Sequence, residues 1–429
     1  MANLRPFRAI RYNPKKIQRL QDAISPPYDV ISKSQQSLLY QAHPNNFIRL
    51  ILGKKKKSDN NSSNKYLRAK QAFNEWLKKK ILVQDDTPAI YVYEQSFQSE
   101  NKAFQRNGFI ALLKIEGADK GVVLPHEKTF CKPKKDRLSL LKATQANLCP
   151  VFGMYRDPDN KIEDILKKAK KTRVLAKIEF EGIKNRLWKI EDTGTIKNIV
   201  SLMRPKKIFI ADGHHRYETA CHYHKLTRES KGLESGWIMM YLSNLYSPGL
   251  KIMPTHRVIR DIDRNILKQI LSLLSADFSV IKTASSRELF SRLKSARDKE
   301  HPFGLCLGKG KHYLLKLKKC PAINSPGAKG SSHYLKLDTV ILHKLILEKI
   351  LRLKNKENNN ILYTRDEKEA VRLVEGGKYK IAFFMNPPKA IQISAIAEAA
   401  QKMPHKSTYF YPKPVSGLVI NSLRKDALI

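Results

Sequence analysis

Apolar runs along this chain break at glycine, proline and polar turns so that strand-like and helix-like stretches alternate. Lys207-Ile208-Phe209-Ile210 reads as a buried strand, and after it Tyr217, Ala220, Cys221 and His224 recur at helical spacing. Ile90-Tyr91-Val92-Tyr93 and the run Phe109 to Leu113 predict strands separated by a polar turn, as in a hairpin or a long β-connection, and Gly121-Val122-Val123-Leu124 predicts a third. Residues 65–80 predict an amphipathic helix with Tyr66, Phe73, Trp76 and Leu77 near one face, as core rather than as a base-stacking platform. Upstream, residues 4–12 predict a strand, 14–24 a helix and Phe47 to Leu52 another strand, while Ser25-Pro26-Pro27-Tyr28-Asp29-Val30 forces an extended turn. A Lys/Asn/Ser-rich loop follows at 53–64.

The middle of the chain predicts a basic helix around 135–146, a strand near Val151-Phe152, a helix from Lys161 to Lys170, a hairpin between 173 and 190, and a helix at 195–203. A buried strand follows from Trp237 to Leu242. Beyond it come helices at 263–274 and 286–297, two short strands around Gly308-Lys309-Gly310, a long apolar helix at 336–352 and a strand from Ile381 to Met385. No internal repeat is detectable. The alternation predicts an α/β or α+β architecture. A chain of 429 residues is long enough for two or three domains, and the boundary is placed near residue 260, giving 1–260 and 261–429.

Charge changes this picture in one respect. With 81 Lys+Arg against 39 Asp+Glu the formal net charge is +42, enough to attract nucleic acid, an anionic membrane or phosphorylated small molecules. Much of the excess is lysine scattered over every segment, as in Lys54-Lys55-Lys56-Lys57 and Lys78-Lys79-Lys80, which predicts weak, non-specific nucleic-acid binding rather than a dedicated surface. The five cysteines (Cys131, Cys149, Cys221, Cys306, Cys320) are odd in number and form no C-x-x-C pair, which fits reduced thiols and argues against structural zinc. No apolar h-region follows the first basic residues and no stretch is long and apolar enough to span a bilayer. A soluble, cytoplasmic protein without a membrane partner is the expectation.

The chemistry concentrates in Ile210-Ala211-Asp212-Gly213-His214-His215-Arg216-Tyr217-Glu218-Thr219-Ala220, where an apolar strand breaks at a glycine and releases two histidines and an arginine at a helix start. The first-turn N–H groups of such a helix lack intrahelical partners, so with the helix dipole and Arg216 they suit a phosphate, and Gly213 lets backbone approach the ligand. A second motif, Pro125-His126-Glu127-Lys128, ends a strand with a carboxylate that could act as a general base; a solvated loop glutamate is the alternative. Met253-Pro254-Thr255-His256-Arg257 is a further polar cluster expected to line the same cleft. In Met403-Pro404-His405-Lys406-Ser407-Thr408, a lysine beside two hydroxyls offers a point charge and donors to a phosphate or carboxylate; a polar turn before an edge strand is the alternative.

Through Leu4-Arg5-Pro6-Phe7-Arg8-Ala9, Ser25-Pro26-Pro27-Tyr28-Asp29-Val30-Ile31, Leu124-Pro125-His126-Glu127, the Ile210 to Ala220 turn and Lys406-Ser407-Thr408-Tyr409-Phe410-Tyr411-Pro412-Lys413, the chain resembles the bacterial family known as domain of unknown function 1015. More distantly it is similar to the ParB/sulfiredoxin superfamily, and within it to the archaeal ADP-dependent free serine kinases. Three blocks of those kinases occur here in the same order: P-H-E at Pro125 to Glu127, D-G-H-H-R at Asp212 to Arg216, and a terminal P-K-[ST]-T-like block. The departures are a longer stretch between Glu127 and Asp212, an extra N-terminal region, and His405 between Pro404 and Lys406.

That resemblance implies a ParB/sulfiredoxin-like nucleotide-binding core with insertions, and a C-terminal α/β domain contributing the Lys-Ser-Thr motif to the cleft. It implies catalytic roles for Glu127, Asp212 and His215, and phosphate contacts from Gly213, His214, His215, Arg216, Lys406, Ser407 and Thr408. The activity implied is a phosphotransferase with an alcohol group as acceptor, using ADP or ATP with Mg2+, the metal held mainly by phosphates and by Asp212, on free serine or a related metabolite. A ParB-like nucleotide-binding regulatory or DNA-associated protein is the second reading; the charge favours it and the lack of an evident helix-turn-helix segment does not. A metal hydrolase using His214, His215, His222 and His224 is the third, weakened by Arg216 in their midst.

Overall fold

The computed structural model describes residues 1–116, 121–296, 300–319, 330–353 and 360–424. It divides into two compact units. Met1–Pro125, Thr129–Lys251 and Pro412–Ile429 make unit 1, and His126–Lys128 with Ile252–Tyr411 make unit 2.

Unit 1 is built on a mixed sheet. Its strands are β1 (Leu4–Arg5), β2 (Ile90–Ser99), β3 (Lys102–Lys114), β4 (Val123–Leu124), β5 (Val151–Tyr155), β6 (Ala176–Phe180), β7 (Ile183–Ile190), β8 (Ile208–Asp212) and β9 (Trp237–Asn244). They run in the order β4-β8-β5-β9-β3-β2-β7-β6, with β1 on β3. The β2–β3 hairpin pairs Tyr91 with Ile110 through Ser99 with Lys102, and Glu100 and Asn101 close it with φ of 51° and 60°, both in the left-handed region that a tight hairpin turn requires. Strand β8 pairs parallel to β4 and antiparallel to β5, whereas β5 and β9 are parallel. Its residues Ile208 and Ile210 join Val92, Phe109, Ala111, Met240 and Leu242 in one buried cluster, which fixes the strand whose end carries the D-G-H-H-R turn.

A second cluster of unit 1 packs Tyr12, Phe47, Phe73 and Trp76 against Ile420. Here three sequence expectations are corrected. The run from Phe47 is not a strand: Ile48–Ile51 is one helical turn, because the buried Asn46 accepts the Ile48 N–H at 2.9 Å and anchors its own amide on the Asp22 and Ile24 carbonyls. Its apolar residues are buried on every side, so periodicity could not separate strand from helix. The segment 4–12 is two short strands, since Pro6 has no N–H for a continuous ladder. Of 14–24 only Leu20–Ala23 is helical, the chain turning extended at Ile24 before the prolines.

Unit 2 has its own sheet of β10 (His256–Ile259), β11 (Phe278–Thr283), β12 (Pro302–Cys306), β13 (His312–Leu317), β14 (Ile361–Thr364) and β15 (Ile381–Met385), ordered β11-β13-β12-β15-β10-β14 with antiparallel pairing. Phe278, Phe303, Phe383 and the Ile341–Ile350 region form a core on it. The long apolar helix begins at Asp338–Ile341 and continues π-helical over Leu342–Ile350. The molecule is thus a mixed α/β protein, and among the described residues no helix is long and apolar enough to cross a membrane. Cys131, Cys149, Cys221 and Cys306 are free thiols, and Cys320 lies outside the described residues.

Candidate functional site

At the end of β8 the chain turns through Gly213 and enters α2 (His214–Thr227); α1 (Cys131–Thr144) is the basic helix that precedes it in sequence. Gly213 has φ +94°, and a Cβ there would stand 2.9 Å from Nε and Nη2 of Arg216, so both backbone conformation and space demand glycine. The arginine folds back onto the turn. Its Nη2 donates to Asp212 Oδ2 at 2.6 Å, and Nη1 donates to the Pro150 carbonyl. The other Asp212 oxygen takes the Lys413 ammonium at 2.5 Å, and Lys413 also pairs with Asp29. Arg216, Asp212, Lys413 and Asp29 therefore form one alternating row of charges.

Burial works against an ionised Asp212, but Lys413 and Arg216 outweigh it and hold the carboxyl well below the usual aspartate range. Burial also opposes the Lys413 charge, and Asp212 with Asp29 more than offsets it, raising the ammonium above its ordinary value. Asp212, Lys413 and Arg216 are charged at neutral pH.

The first turn of α2 meets the start of α1. Phe130, the N-cap of α1, donates its N–H to His215 Nε2 at 3.0 Å, so that nitrogen is unprotonated and the proton sits on Nδ1. Burial pushes His215 down, against the pull of Glu218 and with Lys134, which keeps the ring neutral. The Phe130 and His215 rings lie nearly parallel, 22° apart with centroids at 6.4 Å, and Phe130 is 39% exposed. Glu218 accepts from Thr129 Oγ1 at 2.5 Å and from Lys134 Nζ at 3.1 Å. His214 is buried.

His222 and His224 also lie on α2, whereas Glu127, the Thr255-His256-Arg257 cluster and Lys406, Ser407 and Thr408 belong to unit 2. Glu127 makes a parallel bridge to Met403, whose N–H donates to the His126 carbonyl at 2.8 Å. Thr408 Oγ1 donates to Glu127 Oε1 at 3.0 Å and lies 3.1 Å from His126 Nε2. The hydroxyl has one proton, which goes to the carboxylate; the His126 contact is then an Nε2–H donated to Thr408. Ser407 is buried with its hydroxyl on the Pro404 carbonyl at 2.6 Å, and Lys406 is exposed at φ +56° with its carbonyl 3.3 Å from Arg257 Nη2.

The Thr255-His256-Arg257 cluster was expected to line a cleft; it is instead interior. His256 and Arg257 are fully buried on β10, and Arg257 donates to the Thr255 carbonyl and to Met385 Sδ. Asp29, Lys413 and Phe130 belong to the site and were not singled out as site residues. Asp29 and Lys413 do lie inside the family blocks quoted above, which is the signal that could have found them. No group of three or more His, Cys, Asp or Glu that could hold a metal occurs among the described residues.

Over residues 4–340 the chain matches the family described as "Protein of unknown function (DUF1015)". No curated protein matches it. Solved structures found similar include a free serine kinase in complex with AMP, at 12% identity and TM-score 0.36, covering 72% of this chain and 90% of that one. SbnI with C-terminal truncation from Staphylococcus aureus matches at 11% identity and TM-score 0.35, covering 74% and 90%. A conserved hypothetical protein from Pyrococcus furiosus matches at 13% and 0.34, covering 70% and 92%.

Proposed function

The chain belongs to this family of proteins of unknown function, and we propose that it is a nucleotide-dependent phosphotransferase acting on the hydroxyl of free serine or a related small metabolite. The observation that carries the reading is the Arg216–Asp212–Lys413–Asp29 row behind the α2 N-terminus. Those ion pairs pin the turn, so the first-turn N–H groups of α2 are held ready for an anion without reorganisation on binding. Neutral His215, accepting at Nε2, has Nδ1–H to donate to a phosphoryl oxygen, and the exposed face of Phe130 beside it suits a nucleobase.

The acceptor hydroxyl is assigned to Glu127. Glu127 already holds a hydroxyl, that of Thr408, with 3.0 Å between the two oxygens, which is the donor–acceptor separation a general base needs. As an acceptor oxygen attacks the terminal phosphorus, Glu127 takes its proton and the nucleotide leaves with the electrons of the broken P–O bond. A Mg2+ ion would neutralise phosphate charge when bound with the nucleotide. Asp212 does not fit as its ligand, because one oxygen is taken by an ammonium and the other by a guanidinium; the ion would ride on the phosphates.

A melting assay with ADP and ATP tests the assignment. Both nucleotides, or one of them, should stabilise the wild type, and Arg216→Ala should lower affinity at least tenfold, because the Arg216–Asp212 pair that holds the turn in place, a charge-assisted bond of about 1.5–3 kcal/mol, is lost. If neither nucleotide shifts the wild-type transition, the site assignment is wrong.

The DNA-associated reading draws on the +42 charge. Lys54 to Lys57 and Lys78 to Lys80 are exposed and spread over separate loops and a helix end, a distribution that favours screening by solvent over groove recognition. Duplex DNA titrated at near-physiological salt should therefore bind weakly, indifferently to sequence and with a steep salt dependence. A sequence-selective complex persisting at that salt would favour the second reading.

A further inference from the structure

The sheet of unit 1 ends at β6, which pairs with β7 on one side only. Glu181 and Gly182 join these strands with φ of 50° and 73°, a two-residue loop of type I′. Such a loop makes Phe180 and Ile183 a hydrogen-bonded pair, and alternation along the strand then turns the N–H and C=O of Lys177 and Glu179 away from β7. Those groups have no hydrogen-bond partner among the described residues, which leaves the edge as a template for another strand.

The two faces of this edge differ. Ile178 is buried and lines a cavity of about 180 Å³ with Ile17, Leu20, Leu187 and Leu418. Lys177 is on the opposite face, in register with Arg186 and, one strand further, with Glu94. Lys170 meets Glu94 there at 2.8 Å, which brings the end of the helix Lys161–Ala169 over that face. A groove of about 930 Å³ opens there, lined by Ile165, Val174 and Ile190 together with Lys168 and Arg173. Both spaces include Arg11, Pro14 and Leu175, so they adjoin at the start of β6.

Charge selects the partner. Lys168, Arg173 and Lys177 have no ion pair among the described residues, whereas both carboxylates lining these spaces are taken, Glu191 by Lys189 at 2.7 Å and Asp192 by the Thr195 N–H at 2.7 Å. The edge thus offers main-chain donors and acceptors, apolar contacts on one face and uncommitted cations on the other. A second copy of this chain would bring its own net charge of +42 against them.

We propose that the β6 edge binds an extended acidic segment of a partner protein by strand addition, with apolar residues beside Ile178 and the alternating carboxylates toward Lys177, Lys168 and Arg173. The docking is independent of the phosphotransfer reading, since none of the groups assigned to the nucleotide or to Glu127 lines either space.

Fluorescence anisotropy with the full chain and a labelled peptide alternating glutamate and valine tests this. The peptide should bind the wild type, and its fully N-methylated form, with the same charge and no main-chain donors, should bind at least tenfold more weakly. A chain this basic attracts any polyanion, so the deciding variant is Glu179→Pro. It deletes one outward N–H, a change an edge strand tolerates, and it also removes a negative charge. Strand addition requires weaker binding in this variant; charge attraction alone requires tighter binding. Glu179→Gln, which keeps the N–H, should bind at least as well as the wild type. Reversing Lys168 and Arg173 together to glutamate should lower affinity at least tenfold. Melting curves check that the variants fold, and the N-methylated peptide tests the same bonds on the unaltered protein. The proposal is overturned if the alternating peptide does not bind, if its N-methylated form binds as well, if Glu179→Pro binds no worse than Glu179→Gln, if the charge reversal changes nothing, or if sedimentation shows a dimer that Glu179→Pro dissolves.

Discussion

Lys413→Met should cost the protein about 3–5 kcal/mol of stability at neutral pH, the range for removing one partner of a buried ion pair. The lysine side chain is 8% exposed and stands between two carboxylates, Asp212 and Asp29. Methionine fills most of the volume, so the loss is electrostatic: two negative groups are left facing each other, with only Arg216 on the far side of Asp212. The effect has a pH signature. Because the native pKa of Asp212 is depressed, the stability it contributes is present above the unfolded value of about 3.9 and is lost as pH falls through the native one. The Lys413 pKa is raised, so its contribution is present below about 10.4 and is lost as pH rises through the native value. Urea midpoints of wild type and variant should lie furthest apart between these limits, begin to converge below about pH 4 and meet only as pH falls through the native Asp212 value, near 2. Equal midpoints at pH 7 would show that the charge row contributes nothing.

Glu127→Gln should lower turnover by roughly 10²–10⁴ once an acceptor is in hand, with L-serine the first to try. Glutamine keeps the side-chain length and an oxygen for the Thr408 hydroxyl, so the local network of His126, Thr408 and residue 127 is retained. What disappears is a carboxylate able to take a proton. Nucleotide affinity, measured separately, should change little, because the groups proposed to meet the nucleotide are the α2 N-terminus, His215 and Phe130, and the substitution leaves them as they are. Full phosphotransfer activity in this variant, or loss of nucleotide binding comparable to that of Arg216→Ala, would refute the proposed division of labour.

Elements with an unambiguous period were legible in the sequence. The β2–β3 hairpin, the helix Lys65–Lys78 and the strand-to-helix turn at Gly213 follow from alternation, from 3.6-residue spacing and from a glycine at a chain reversal. Phe47 to Leu52 was not, because the decisive interaction is a buried side-chain amide, Asn46, satisfied by carbonyls more than twenty residues away in sequence. The site divides along the same line. Asp212, Gly213 and Arg216 sit within one turn and could be read together. Lys413 reaches Asp212, and Asp29 reaches Lys413, from distant parts of the chain, and no local spacing encodes that meeting. Likewise, a strand-end glutamate reads as a candidate base, but that its hydroxyl partner is Thr408 emerges only from the pairing of Glu127 with Met403.

The return of residues 412–424 to unit 1 also constrains the order in which the protein can be made. Asn421–Ser422 pairs with Ala146–Asn147, Ile420 bridges Ile10, and Lys413 completes the charge row with Asp29 and Asp212. A ribosome delivers these residues only after all of unit 2 has emerged. Until then the nascent unit 1 carries an unpaired strand edge and two carboxylates without their ammonium, and its assembly waits for residues that follow unit 2 in the chain, although most of its sequence was available first.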